Sequence, residues 1–165
     1  MRTRITPGLM LSAALLAVPS SRDSVLLYAE VSHYQHDPRL LGLQQFFAER
    51  ACPLESLAAD FLVASDRNRL DWRLLPSISF VESGGGKEYR NNNVLGWDNC
   101  NRRFDTVREG IHHVADRLGT STLYKDKGVD GILRTYNPRR SYTRLVKAVM
   151  RSIRTGEAHN HLACN

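Results

Sequence analysis

Residues 77–86 read Ser77-Ile78-Ser79-Phe80-Val81-Glu82-Ser83-Gly84-Gly85-Gly86, an apolar run that ends in a carboxylate, a hydroxyl and three glycines. Trp72, Leu74 and Leu75 extend the apolar stretch upstream. Helical spacing puts Leu75, Ile78, Ser79 and Glu82 along one face. Asp71 is placed to cap this helix. Pro76 lies about a turn inside it, so either the first turn is kinked or the regular helix begins nearer Pro76. The glycines then stop it. A lone acid closing such a run sits at the lip of whatever cleft the next loop forms. That position suits a general acid, because a carboxyl partly out of water favours its protonated form. The plain alternative is an ordinary polar residue in the last turn of a core helix.

Outward from this segment the pattern stays helical. Upstream, Leu40, Leu41, Leu43, Phe46 and Phe47 form an apolar stripe that begins at Pro38 and breaks at Cys52-Pro53. A second helix from about Leu54 buries Leu57, Ala58, Phe61, Leu62 and Ala64. Downstream, Gly84 to Phe104 has no helical period. Asn91-Asn92-Asn93 and Gly96 favour turns, while Val94, Leu95 and Trp97 are its apolar anchors. An irregular segment of this length inside a domain is often a functional loop. Thr106-x-x-Glu109 is a capping box opening a helix with Val107, Ile111, Val114 and Leu118 inside and Gly119 at its end. His112 and His113 point about 100° apart on that helix and read as surface or packing residues. Val129, Ile132, Leu133 and Tyr136 mark a shorter helix that stops at Asn137-Pro138. Ser141 is placed to cap a last amphipathic helix burying Leu145, Val146, Val149, Met150 and Ile153. The expectation is a mainly α single domain, with β-structure confined to a short hairpin between Gly84 and Phe104.

The 165 residues suffice for one domain with a real core. A formal net charge of +6 suits an anionic partner, whether nucleic acid, lipid headgroups or a wall polymer rich in carboxylates and phosphates. No recognised nucleic-acid motif accompanies the charge. Arg2, Arg4 and the apolar Leu9–Val18 stretch read as an export signal that is short of the roughly 20 residues needed to span a bilayer. The boundaries are then a signal peptide at 1–24, a linker at 25–37, one domain at 38–155 and a flexible tail at 156–165. Cys52, Cys100 and Cys164 are an odd number, so in an exported protein one pair can bridge and leave one free. A Cys52–Cys100 bridge would anchor the loop after Trp97. The tail His159, His161 and Cys164 match no strong zinc spacing, and no metal or cofactor is expected.

The order of Glu82-Ser83, a Gly/Asn loop with Asn92-Asn93-Val94-Leu95-Gly96-Trp97, further helices and Tyr136-Asn137-Pro138 resembles the lysozyme-like superfamily of cell-wall glycosidases. Within it, Glu82-Ser83-Gly84-Gly85-Gly86-Lys87 and Asn92-Asn93-Val94-Leu95-Gly96 look like the bacterial glucosaminidase family, the mannosyl-glycoprotein endo-β-N-acetylglucosaminidase-like domain. Tyr136-Asn137 is similar to the Tyr-Asn pair of lytic transglycosylases. The resemblance covers about residues 54–154. It implies a lysozyme-like helical domain that cleaves the β-1,4 bond between the N-acetylated sugars of peptidoglycan, with Glu82 as proton donor. Ser83, Asn93, Trp97, Tyr136 and Asn137 are then the candidate substrate-binding residues. Asp98 is favoured over Glu88 and Asp105 as the second acid that glycoside hydrolysis commonly uses. The expected partner is peptidoglycan, and the expected protein is an exported monomer, periplasmic or extracellular, binding no nucleic acid and with no stable membrane span. Other readings are a lytic transglycosylase forming 1,6-anhydro products, a non-catalytic wall-binding domain and a basic nucleic-acid-binding protein.

Overall fold

A computed structural model describes residues 33–156, and the proposed export signal and the cysteine at position 164 lie outside the described residues. Six α-helices occur among them: α1 (Pro38–Ala48), α2 (Ala58–Arg67), α3 (Leu74–Ser83), α4 (Val107–Thr120), α5 (Val129–Tyr136) and α6 (Arg140–Ser152). Short 3-10 turns at Pro53–Leu57 and Trp97–Cys100 interrupt the connections. The chain is mainly α, as its periodicity predicts. No strand occurs among the described residues, and no described helix is long and apolar enough to cross a membrane.

α3 is the axis of the fold. Leu74, Leu75, Pro76, Ser77, Ile78 and Ser79 are all buried, so this helix is enclosed on nearly every side over its first turns. It packs against α6 and α2, while α2 packs against α1 and α4. Fully buried side chains such as Leu75, Ile78, Phe47 and Phe61 each contribute about 1.5–3 kcal/mol relative to exposure. The aromatics interlock: Phe46 lies edge-on to Phe47 at 5.4 Å and to Phe80 at 5.5 Å. Pro76 falls in the first turn of α3, where its missing N–H removes no intrahelical bond, so the helix starts at Leu74 without a break.

Several boundaries differ from the sequence reading for local reasons. Pro53 opens a 3-10 turn, and the regular α2 helix follows only from Ala58. α4 runs one residue past Gly119, which is held closely against Asn68 and does not act as a cap. α6 starts earlier than a Ser141 cap allows, because Asn137 Oδ1 accepts from Arg139 N–H at 3.1 Å and begins the turn. Residues just outside 38–155 also make contacts with the helices. Tyr34 donates to Asp66 at 2.8 Å, Asp37 caps α1, and Gly156 N–H donates to Pro38 C=O at 2.8 Å.

Among the described residues, one ionisable carboxylate lies inside the core. Asp60 is 2 % exposed and accepts from Arg108 Nε at 2.7 Å, with His112 Nε2 at 3.5 Å. Burial pushes its carboxyl up, but hydrogen bonds from His112 and Arg108 outweigh that and hold it below the usual carboxylate range. A folded pKa below the unfolded one stabilises the fold above about pH 4, and that contribution is lost as pH falls through the folded value. Asp60→Ala is expected to cost about 1–2 kcal/mol at neutral pH, since the half-exposed Arg108 can re-solvate. Urea midpoints measured down the acid range should fall less steeply in Asp60→Asn than in the parent. Parallel acid limbs in the two proteins would remove this pair from acid stability.

Candidate functional site

α3 ends at Gly84 in the left-handed conformation (φ 62°, ψ 30°), with Gly84 N–H donating to Phe80 C=O and Gly85 N–H to Ser79 C=O. Gly85 and Gly86 continue at φ 70° and 88°, and a Cβ on either would strike Cys52 Sγ or Leu54 at 2.5 and 2.8 Å. Only glycine allows this close left-handed turn against the Pro53–Leu57 segment. The turn brings Glu82 out of the buried helix and exposes it at the mouth of a cleft of about 610 Å³. The carboxyl is therefore open to water in the cleft, not partly withdrawn from it.

The loop that faces Glu82 is held by amide side chains in place of a strand ladder. Asn91 Nδ2 donates to Cys100 C=O at 3.0 Å, and Asn92 Nδ2 to Phe104 and Asp105 C=O at 2.9 and 3.0 Å. Asn93 Nδ2 donates to Trp97 and Arg102 C=O, while its Oδ1 accepts from Trp97 N–H at 2.9 Å. Side chains thus satisfy loop carbonyls that a hairpin would pair with backbone, so the hairpin allowed for by the sequence does not form. Asp98, Asn99 and Cys100 all adopt positive φ, at 52°, 52° and 62°. Left-handed conformations cost non-glycine residues roughly 1–2 kcal/mol each, and the network holds that strain.

Five of the sequence candidates line this cleft together: Glu82, Trp97, Asp98, Tyr136 and Asn137. Glu82 and Asp98 are its two acids. Glu88 and Asp105 are exposed but not part of its wall. Trp97 lies against Tyr136 at 5.7 Å and against Tyr124 at 6.0 Å, an aromatic wall of the kind that packs on sugar rings. Tyr136 donates its hydroxyl to Leu95 C=O, which fixes that wall to the loop.

Two candidates are not in the cleft. Ser83 is buried, donating to Ser79 C=O at 2.8 Å and accepting from Gly86 N–H at 3.1 Å, so its hydroxyl serves the helix end. Asn93 is 2 % exposed and spends its amide on the loop. Cys52 and Cys100 are free thiols, and the bridge between them is not formed. Cys52 packs under the glycine turn, with Sγ 3.5 Å from Gly84 C=O, whereas Cys100 lines the cleft.

Two features of the site were missed in the sequence. Tyr142, on the core face of α6, stacks on Tyr136 at 6.2 Å and 8°. Its hydroxyl lies beside Glu82, close enough to feel the charge, yet makes no hydrogen bond of ordinary geometry. Burial first, then Glu82, raises both Tyr142 and Tyr136, so both hydroxyls stay protonated near neutral pH. The cleft also carries a basic wall of Arg102, Arg117 and His113. Burial, then Arg102 and Arg117, lowers His113 below the usual histidine range and leaves its ring uncharged at neutral pH. The tyrosine was hidden because it reads as ordinary core. The basic wall draws on the loop and on α4, which only the fold brings together.

Among the described residues, no group of three or more His, Cys, Asp or Glu side chains is arranged to hold a metal ion. No protein-family model, curated protein or solved structure matches the chain.

Gly96 couples the loop to the acid. It sits at φ 71°, and a Cβ there would fall 2.5 Å from Glu82 Oε2. Gly96→Ala is expected to cost about 1–3 kcal/mol from the left-handed backbone and to displace the Glu82 side chain. Thermal unfolding reads the first effect. A melting temperature equal to the parent's would show that the loop relaxes around the methyl group.

Proposed function

We propose that the protein is an exported peptidoglycan glycoside hydrolase that cleaves β-1,4 bonds between N-acetylated sugars, with Glu82 as general acid. The observation that carries this reading is the placement of Glu82 on Gly96, beside Tyr142, in a cleft that also holds Asp98 and an aromatic wall. Breaking a glycosidic bond requires a proton on the leaving oxygen and stabilisation of an oxocarbenium-like centre. Glu82 is the acid whose backbone is fixed by a buried helix, which suits a group that must meet one particular oxygen. The Tyr142 hydroxyl, buried without a partner, is free to orient the carboxyl.

Asp98 is the second acid of this proposal. It is exposed, sits on the strained turn after Trp97 and lines the same cleft, a position from which a carboxylate can activate water or stabilise positive charge at the sugar. The cleft lining thus combines cationic groups suited to polar or acidic substituents with aromatic surface suited to ring faces. A lytic transglycosylase would use Glu82 alike but release 1,6-anhydro ends in place of reducing ends.

The test is release of soluble muropeptides from purified peptidoglycan, with products analysed by mass spectrometry. Glu82→Gln is expected to lower the rate by about 10²-fold or more, the usual contribution of a positioned proton donor. Binding without release by the parent protein would reduce it to a wall-binding domain, and equal rates in parent and Glu82→Gln would take Glu82 out of the chemistry.

Tyr142→Phe separates positioning from packing. It removes a buried hydroxyl that has no hydrogen-bond partner, so stability should hold or rise by up to about 1 kcal/mol. If the hydroxyl orients Glu82, kcat should fall while KM changes little. Unchanged kcat would leave Tyr142 as core alone.

A further inference from the structure

The last helix carries Arg140, Arg144, Lys147 and Arg151, four, three and four residues apart. This spacing holds all four within about 60° around the helix, along roughly 16 Å of its length. The stripe faces away from the buried Tyr142, Val146 and Met150. Like charges at three- and four-residue spacing destabilise a helix, so the array opposes folding unless something neutralises it. Arg134, in the last turn of α5, adds a further cation on the neighbouring helix.

Between the two helices lies a groove of about 360 Å³, lined by Asp130, Arg134, Thr143, Arg144, Lys147 and Arg151. Four of these six residues are cationic. The one carboxylate, Asp130, is already engaged by Lys147 at 2.8 Å. Thr143 Oγ1 has no hydrogen-bond partner within the fold. None of the groove residues lines the Glu82 cleft, so this is a separate site.

The chemistry of the face narrows its ligand. Its lining holds no aromatic ring, which removes the stacking that single-stranded nucleic acids use. Leu145 is 53 % exposed but lies about 100° round the helix from Arg144, off the stripe, so the basic face presents no apolar residue for insertion into a bilayer. What is left is a straight array of cations with a groove beside it, complementary to a linear polyanion read through backbone charge. We infer that this face binds a linear phosphodiester polymer of the cell wall, in which polyols join successive phosphates. It would hold the protein on the wall while the cleft works on the glycan. The choice of a wall polymer over duplex nucleic acid rests on the proposed function, whereas the anion-binding face does not.

The probe is fluorescently labelled poly(glycerol phosphate), titrated with the full chain by polarisation at several salt concentrations. With about four phosphates neutralised, affinity should fall roughly 50-fold between about 50 and about 200 mM salt. The triple substitution Arg140→Ala, Arg144→Ala and Arg151→Ala lies on exposed positions and should keep the parent circular dichroism spectrum. It should bind at least about tenfold more weakly, with a log–log salt slope flatter by about 2. Cleavage of short neutral glycan fragments should be unchanged in this variant. Glu82→Gln should bind the polymer as the parent does, so loss of the catalytic reading and loss of this site give different results. Equal polymer affinity in the triple variant and the parent would overturn the site. Tighter binding of a duplex DNA of equal charge at the same salt would overturn its assignment to a wall polymer.

Discussion

Burial of α3 is the constraint on which the rest depends. A helix with six successive buried residues, Leu74 to Ser79, has no polar face to offer and is held on several sides at once. Such a helix can present a charged side chain to water only at an end. Glu82 takes that place, one residue before the buried Ser83 and two before the left-handed Gly84. Its backbone therefore inherits the rigidity of the core, while its carboxylate stands in the cleft. Positioning and solvent access, which oppose each other elsewhere on a protein surface, are reconciled by ending a core helix at a glycine run.

The opposite side of the cleft is made by other means. Residues 84–106 have little regular structure, so their shape is set by the three asparagine amides, by the buried Val94, Leu95 and Phe104, and by Tyr136 reaching from α5 to Leu95 C=O. The strained Asp98–Cys100 turn is held by Asn91 at Cys100 C=O and by Arg90 at Asn99 C=O. Non-glycine residues keep positive φ only where surrounding contacts over-determine them. The same residues that look like generic turn formers in sequence are thus the struts of the cleft wall. The Asn-Asn-x-x-Gly pattern has a mechanical reading here: the asparagines tie the loop, and Gly96 lets it approach Glu82 without a Cβ in the way.

Local chemistry made much of this legible. Periodicity located each of the six helices, Thr106 caps α4 through its side chain as the capping box predicts, and Glu82 stands at a helix end where its setting had put it. Two of the errors share one cause. Ser83 and Asn93 were assigned to substrate on their residue type and neighbourhood, but a short polar side chain next to a helix end or a turn has backbone groups within reach and satisfies those first. The Cys52–Cys100 bridge was a matter of counting thiols, and Cys52 instead fills the space beneath Gly85. The Asp60, Arg108 and His112 cluster joins residues about fifty positions apart, for which no local pattern exists.

The sequence by itself determined the helices, their order, the glycine stop and the basic stripe on α6, because each depends on spacing within one segment. It also determined which acid closes the buried run. The tertiary structure alone decided what surrounds that acid: Asp98, Arg102, Arg117 and His113 lining the same cleft, Tyr142 beside the carboxylate, and Ser83 and Asn93 turned inward. The division has a physical reason. Helical periodicity and capping are short-range effects that neighbouring residues settle between them. A site is an intersection of distant segments, and which side chains meet there depends on how whole helices pack.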